Sequence, residues 1–151
     1  MAIEVAGHAV NISAAVLDTN VVLDWLVFRN ARTHALAAAV EAGTLRWLAT
    51  MPMREELGHM LAHASLARWE PDAGSALATL DRLASMRPPA TASRLHCSDR
   101  DDQIFIDLAL AERADWLITH DRRLLKLARR ARLLGVQVLT PLAWCQQRSA
   151  P

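Results

Sequence analysis

The chain alternates between short apolar runs that stop abruptly at polar residues and longer stretches with apolar positions three or four apart. Runs of the first kind are "AAVL" before Asp18, "TLRWLAT" over 44–50, "DWLITH" over 115–120 and "VQVLT" over 136–140. Their length and sharp ends predict buried strands, and "ASRLHC" over 92–97 is a weaker candidate. Stretches of the second kind predict helices over 19–30, 32–43, 51–69, 70–86, 98–114, 121–135 and 141–147. Matching end signals accompany them. Thr19 or Asn20 caps the first helix, Gly43 closes the second, Pro52 opens the third and Pro88-Pro89 end the fourth. Ser98 or Asp99 caps the fifth, Gly135 closes the sixth and Pro141 opens the last. Residues 1–13, where Gly7, His8 and Asn11 interrupt short apolar pairs, read as a tail or an irregular extra strand.

Strands alternating with helices of this length predict crossover units, hence an α/β fold with a mostly parallel sheet covered on both faces. No repeat, low-complexity tract or linker interrupts the pattern, so residues 1–151 read as one domain. Apolar residues at 52% and charged residues at 22% exclude a disordered chain. No apolar run reaches the roughly 20 residues that span a bilayer, and no basic segment precedes an apolar one at the start. Cys97 and Cys145 are too far apart for a C-x-x-C zinc or redox pair, which points to a reduced, cytoplasmic setting. A net charge of +1 gives no general attraction to nucleic acid. Lys126 is the sole lysine among 17 basic residues. That arginine bias suits a phosphate-bearing partner, and a GC-rich genome produces it equally well.

In an open parallel sheet, ligands bind at the carboxyl ends of the strands. Acidic residues fall there on four segments. Asp18 ends the first strand; Glu55 and Glu56 lie in the helix after the second; Asp99, Asp101 and Asp102 open the helix at 98–114; Asp121 follows "LITH". Any one of them is explained by helix capping, except Asp18, which ends an apolar strand ahead of Thr19-Asn20. Together they form a set that repels itself unless a cation sits among them. Hard oxygen donors suit Mg²⁺ or Mn²⁺, and hydrolysis of a nucleic-acid phosphodiester is the natural reaction for such a site.

"VLDTNVV" (16–22), "REELGHML" (54–61), "SDRDDQIFIDLAL" (98–110) and "DWLITHDRRLLKL" (115–127) resemble PIN-domain proteins. They look most like the VapC-like ribonucleases that serve as toxin components of bacterial toxin–antitoxin systems. The resemblance runs from about Ala14 to Trp144, and "VQVLTPLAW" is similar to the family's usual ending. It implies a three-layer α/β/α sandwich with about five strands and a Mg²⁺- or Mn²⁺-dependent endoribonuclease site. The family's four acids would be Asp18, Glu56 (with Glu55 as competitor), Asp102 (with Asp101 or Asp99 in its place) and Asp121. Thr19, Asn20 and Thr119 would be supporting polar groups. Asp107, five residues beyond Asp102, points elsewhere on its helix. The resemblance further implies an RNA substrate, an antitoxin partner and a homodimer. His120 departs from the pattern, since related chains often carry glycine there.

Other signals are weaker. Glu55, His59 and His63 at i, i+4 and i+8 share one helix face but lack the H-E-x-x-H placement of a zinc site. Arg122, Arg123, Lys126, Arg129 and Arg130 form a basic stripe that suits RNA phosphates and also an ordinary solvated helix face. The five tryptophans are scattered and read as core or interface anchors. A PIN-fold RNA-binding or RNA-processing module without a toxin role is one alternative. A receiver-like phospho-acceptor is another, although the lone lysine lies in the basic helix and Asp18 has no acidic neighbour. A haloacid-dehalogenase phosphatase would need D-x-D where this chain has D-T-N. Phosphate-cradling glycine motifs are absent.

Overall fold

Ala15, Val16 and Leu17 are all buried although a strand's pleat sends successive side chains to opposite faces. Both faces of the sheet must therefore be covered, as in parallel α/β architectures. The computed structural model describes residues 2–5 and 8–149. Within the first 13 residues, β1 (Ala2–Val5) and β2 (His8–Asn11) pair antiparallel as a separate ribbon, and Gly7 lies outside the described residues. The main sheet holds β3 (Ser13–Leu17), β4 (Leu45–Ala49), β5 (Ala84–Met86), β6 (Trp116–Ile118) and β7 (Gln137–Leu139). Its order is β5-β4-β3-β6-β7, all parallel, with Val16 registered against Leu48 on one side and Leu117 on the other.

One helical layer consists of α1 (Thr19–Leu26), α2 (His34–Glu41), α3 (Met51–Leu61), α4 (Ala73–Leu83) and α8 (Pro141–Ser149). Its Val21, Leu36, Leu57, Leu80 and Trp144 pack with Leu17, Trp47, Ile118 and Leu139 of the sheet. The other layer consists of α5 (Gln103–Ala111), α6 (Arg122–Leu125) and α7 (Ala128–Leu133). Its Phe105, Ile106, Leu124 and Ala131 pack with Val16, Leu48, Leu117 and Val138. The result is the α/β/α sandwich of five parallel strands that the alternation and the resemblance imply. No helix among the described residues is long and apolar enough to cross a membrane.

β3, the first strand of this sheet, lies between the second and the fourth. The chain winds outward through β4 and β5, then returns to β6 on the other side of β3. That reversal opens a crevice between the carboxyl ends of β3 and β6. It also argues against the receiver alternative, whose sheet places the first strand between the second and third.

Five elements differ from the sequence pattern. The strand expected at 92–97 does not form; the edge strand is β5, inside the helix expected over 70–86. The alternation in 92–97 is real, since Leu95 and Cys97 are buried and His96 is exposed. Its backbone, however, bonds to α5 side chains. Cys97 N–H donates to Gln103 Oε1 (2.7 Å), Ser93 N–H donates to Asp107 Oδ1 (2.8 Å), and Gln103 Nε2 donates to Leu95 O (2.7 Å).

The helix expected over 51–69 stops at Leu61, and a 3₁₀ segment follows at Ala64–Trp69. His63 lies beyond the helix with Nδ1 accepting from Ser65 N–H, so the Glu55–His59–His63 face is broken. The helix expected over 121–135 splits at Lys126-Leu127 into α6 and α7, which lets Leu124, Leu127 and Ala131 all face the sheet. Finally, α1 ends at Leu26 and begins at Thr19, with Asp18 in the cap position and its carboxylate making no capping bond.

Candidate metal centre at the carboxyl edge of the sheet

Asp18 leaves the end of β3 and is 2% exposed. Its Oδ2 accepts a hydrogen bond from Thr119 Oγ1 (2.7 Å), just past β6. The same hydroxyl accepts from the backbone N–H of Asp121 (2.9 Å). Thr119 thus fixes both strand ends through one oxygen, and it is fully buried. Thr19 opens α1 and donates through Oγ1 to Glu56 Oε2 (2.7 Å). That contact turns Glu56 inward while Glu55 stays exposed. Asn20 is exposed, and its side chain makes no hydrogen bond with the acids.

From the opposite layer, the 3₁₀ turn Arg100–Asp102 carries Asp102 into the crevice, 8% exposed. Asp99, Asp102 and Asp121 each present a carboxylate oxygen within 4.8 Å of the others. Asp101 is exposed; its backbone N–H donates to Asp99 Oδ1 (2.9 Å). Asp102 Oδ2 is buried with no donor directed at it. Asp107 is turned away, holding Ser93 N–H and the Gln103 amide. Asp99, weighed from the sequence only as a substitute for Asp102, joins the cluster beside it.

Burial pushes the carboxyls of Asp18 and Glu56 above their ordinary range. Asp102 is pushed further, to about 8, first by burial and then by its contact with Asp121. Asp121 moves the other way because a proton held on Asp102 donates to it. In physical terms, crowded carboxylates share a proton between Asp102 and Asp121, the response expected of acids held this close with too little positive charge beside them.

A buried oxygen without a donor, beside the carboxylates of Asp99 and Asp121, is a donor set that fits a hard divalent cation. The residues present therefore fit Mg²⁺ or Mn²⁺.

Two contacts at the rim were not visible in the sequence. His120 Nε2 lies 2.7 Å from Asp24 Oδ2 of α1. Arg123 Nη1 donates to Asp99 Oδ2 (2.7 Å). Both join residues far apart in sequence, so only the folded chain reveals them. Arg122, Arg123, Lys126, Arg129 and Arg130 are all exposed, spread over α6, the turn after it and α7 rather than along one continuous helix.

The fold and this edge agree with a family model. Residues 14–123 match the PIN domain model, a span that contains every acid described above. The chain belongs to the PIN-domain family. It is also similar to a chain in the crystal structure of VapBC2 from Rickettsia felis bound to a DNA fragment from their promoter. That match has a TM-score of 0.58 and 12% identity, covering 84% of this chain and 98% of the other. At such identity the likeness speaks for the fold. No curated protein matches the sequence.

Proposed function

We propose that the chain is a divalent-metal-dependent endoribonuclease, the toxin of a toxin–antitoxin pair. The observation that carries this reading is the convergence of Asp18, Glu56, Asp102 and Asp121 on one crevice, with Asp102 Oδ2 buried and unpartnered. Membership of the PIN-domain family and the fold shared with the VapBC2 chain support it.

Asp18, Glu56, Asp102 and Asp121 would hold Mg²⁺ or Mn²⁺. Thr119 keeps Asp18 and the Asp121 backbone in register, and Thr19 keeps Glu56 turned inward. Asn20, its exposed side chain unbonded to the acids, would be a further polar group at the rim. When bound, the ion lowers the pKa of a water and stabilises charge on the phosphorus and leaving oxygen. Arg122, Arg123, Lys126, Arg129 and Arg130 draw the RNA backbone towards the crevice by replacing its counterions. An antitoxin would cover the acidic crevice with a basic side chain, and the working form is a cytoplasmic homodimer.

The test is incubation of the purified protein with RNA and with DNA of the same sequence, in Mg²⁺, in Mn²⁺ and in EDTA. Cleavage of RNA in either metal, and none in EDTA, is expected. Cleavage that persists in EDTA, or of DNA alone, contradicts the reading.

A further inference from the structure

Arg123 holds two members of the acidic cluster at once. Its backbone N–H donates to Asp121 Oδ1 (2.7 Å), and its guanidinium Nη1 donates to Asp99 Oδ2 (2.7 Å). Asp99 has its other oxygen on the Asp101 N–H, so both its oxygens are engaged. Arg123 Nε and Nη2 make no hydrogen bond to any described residue. The pair sits at the rim, with side-chain exposures of 55% for Arg123 and 28% for Asp99. Asp99 nevertheless belongs to the cluster that offers three oxygens within 4.8 Å, beside the buried, donorless Oδ2 of Asp102.

We propose that Asp99 is a fifth carboxylate of the cation site and that Arg123 is its internal counter-ion, which a divalent ion must displace. The proposal rests on the metal-centre reading above and adds a regulatory contact to it. An exposed ion pair is weak enough to yield to a doubly charged ion among three carboxylates. Without metal, the guanidinium limits repulsion at Asp99 and occupies one of its oxygens. With metal, that oxygen turns to the ion, and the guanidinium is released at the mouth of the crevice, on the side where a phosphate arrives. Metal loading and the freeing of a phosphate-binding arginine are thereby coupled.

The experiment needs no RNA. Mn²⁺ binding is measured calorimetrically on wild type, Arg123→Gln, Asp99→Asn and the double variant, and the Arg123 Nε–H signal is followed by NMR during a Mg²⁺ titration. Arg123→Gln should bind Mn²⁺ about two- to fivefold more tightly, the scale of an exposed ion pair. Asp99→Asn should weaken binding, and Arg123→Gln should then have no further effect in that background. The Arg123 signal should move with Mg²⁺ in wild type and stay fixed in Asp99→Asn. The proposal is overturned if Arg123→Gln tightens binding equally with and without Asp99, since that is only the removal of a distant charge. It is also overturned if the Arg123 signal ignores Mg²⁺. A wild type that binds no divalent ion defeats both this coupling and the metal-centre reading. One that binds the ion and cleaves no RNA defeats the nuclease reading alone.

Discussion

At the residue scale, one hydroxyl organises the crevice. Thr119 spends its proton on Asp18 and a lone pair on the Asp121 N–H, so the ends of β3 and β6 are tied by a side chain in addition to the backbone bond from Asp18 N–H to Ile118 O (3.0 Å). Asp18, Thr119 and Asp121 were legible in the sequence because each follows an apolar strand. The resemblance already favoured Glu56 over Glu55, and the Thr19 contact supplies the physical reason Glu56 turns inward; placing Asp99 beside Asp102 needed the 3₁₀ turn that presents both. The charge state of the cluster makes a testable claim about stability. Asp18, Glu56 and Asp102 bind their protons more tightly folded than unfolded. Their contribution to stability is therefore complete below the ordinary carboxylate value and is lost as pH rises through the folded value, about 8 for Asp102. Asp121 has the opposite sign, and its contribution is lost only in acid, below its ordinary 3.8. In EDTA, the melting temperature should fall between about pH 4 and pH 8 and level off above that, and Asp102→Asn should flatten the fall. Saturating Mg²⁺ should restore the melting temperature at high pH, because it binds only the folded state. A wild-type curve that is flat in EDTA contradicts the account.

At the element scale, the segment between β5 and α5 shows where pattern reading stops. Residues 92–97 alternate as a strand does, yet their polar backbone groups are taken by Gln103 and Asp107 at i and i+4 on α5. Nothing in the local pattern distinguishes a ladder from a side-chain staple. β5 is hidden for a related reason: at three residues it is too short to set a period of its own, and the apolar spacing of α4 runs straight into it. The staple carries weight because it seats the 3₁₀ turn that delivers Asp99 and Asp102. Gln103→Ala removes three hydrogen bonds at once, those with Cys97 N–H, Leu95 O and Asp107. A loss of about 1–3 kcal/mol is expected by denaturant unfolding, because buried backbone groups are left unpaired. Limited proteolysis should cut first within 87–98. A variant as stable and as protease-resistant as wild type would show that the staple is incidental.

At the scale of the whole molecule, the architecture was the most legible feature. Blocks of two periods imply strands between helices, and burial of consecutive residues in β3 shows both faces covered. The order of strands was not legible from periodicity, and it is the order that creates the crevice between β3 and β6. Asp18 comes from β3, Glu56 from α3, Asp102 from the turn before α5 and Asp121 from the loop after β6, so the site exists only when all layers are assembled. The most direct test compares single-turnover cleavage of RNA in Mn²⁺ by wild type and Asp18→Asn, with circular dichroism confirming that both are folded. Asp18→Asn keeps the shape and removes the charge at the centre of the crevice. The account predicts a rate at least about 100-fold lower for the variant, on the scale of losing one electrostatic contact at a reacting centre. Equal rates for the two proteins would contradict it.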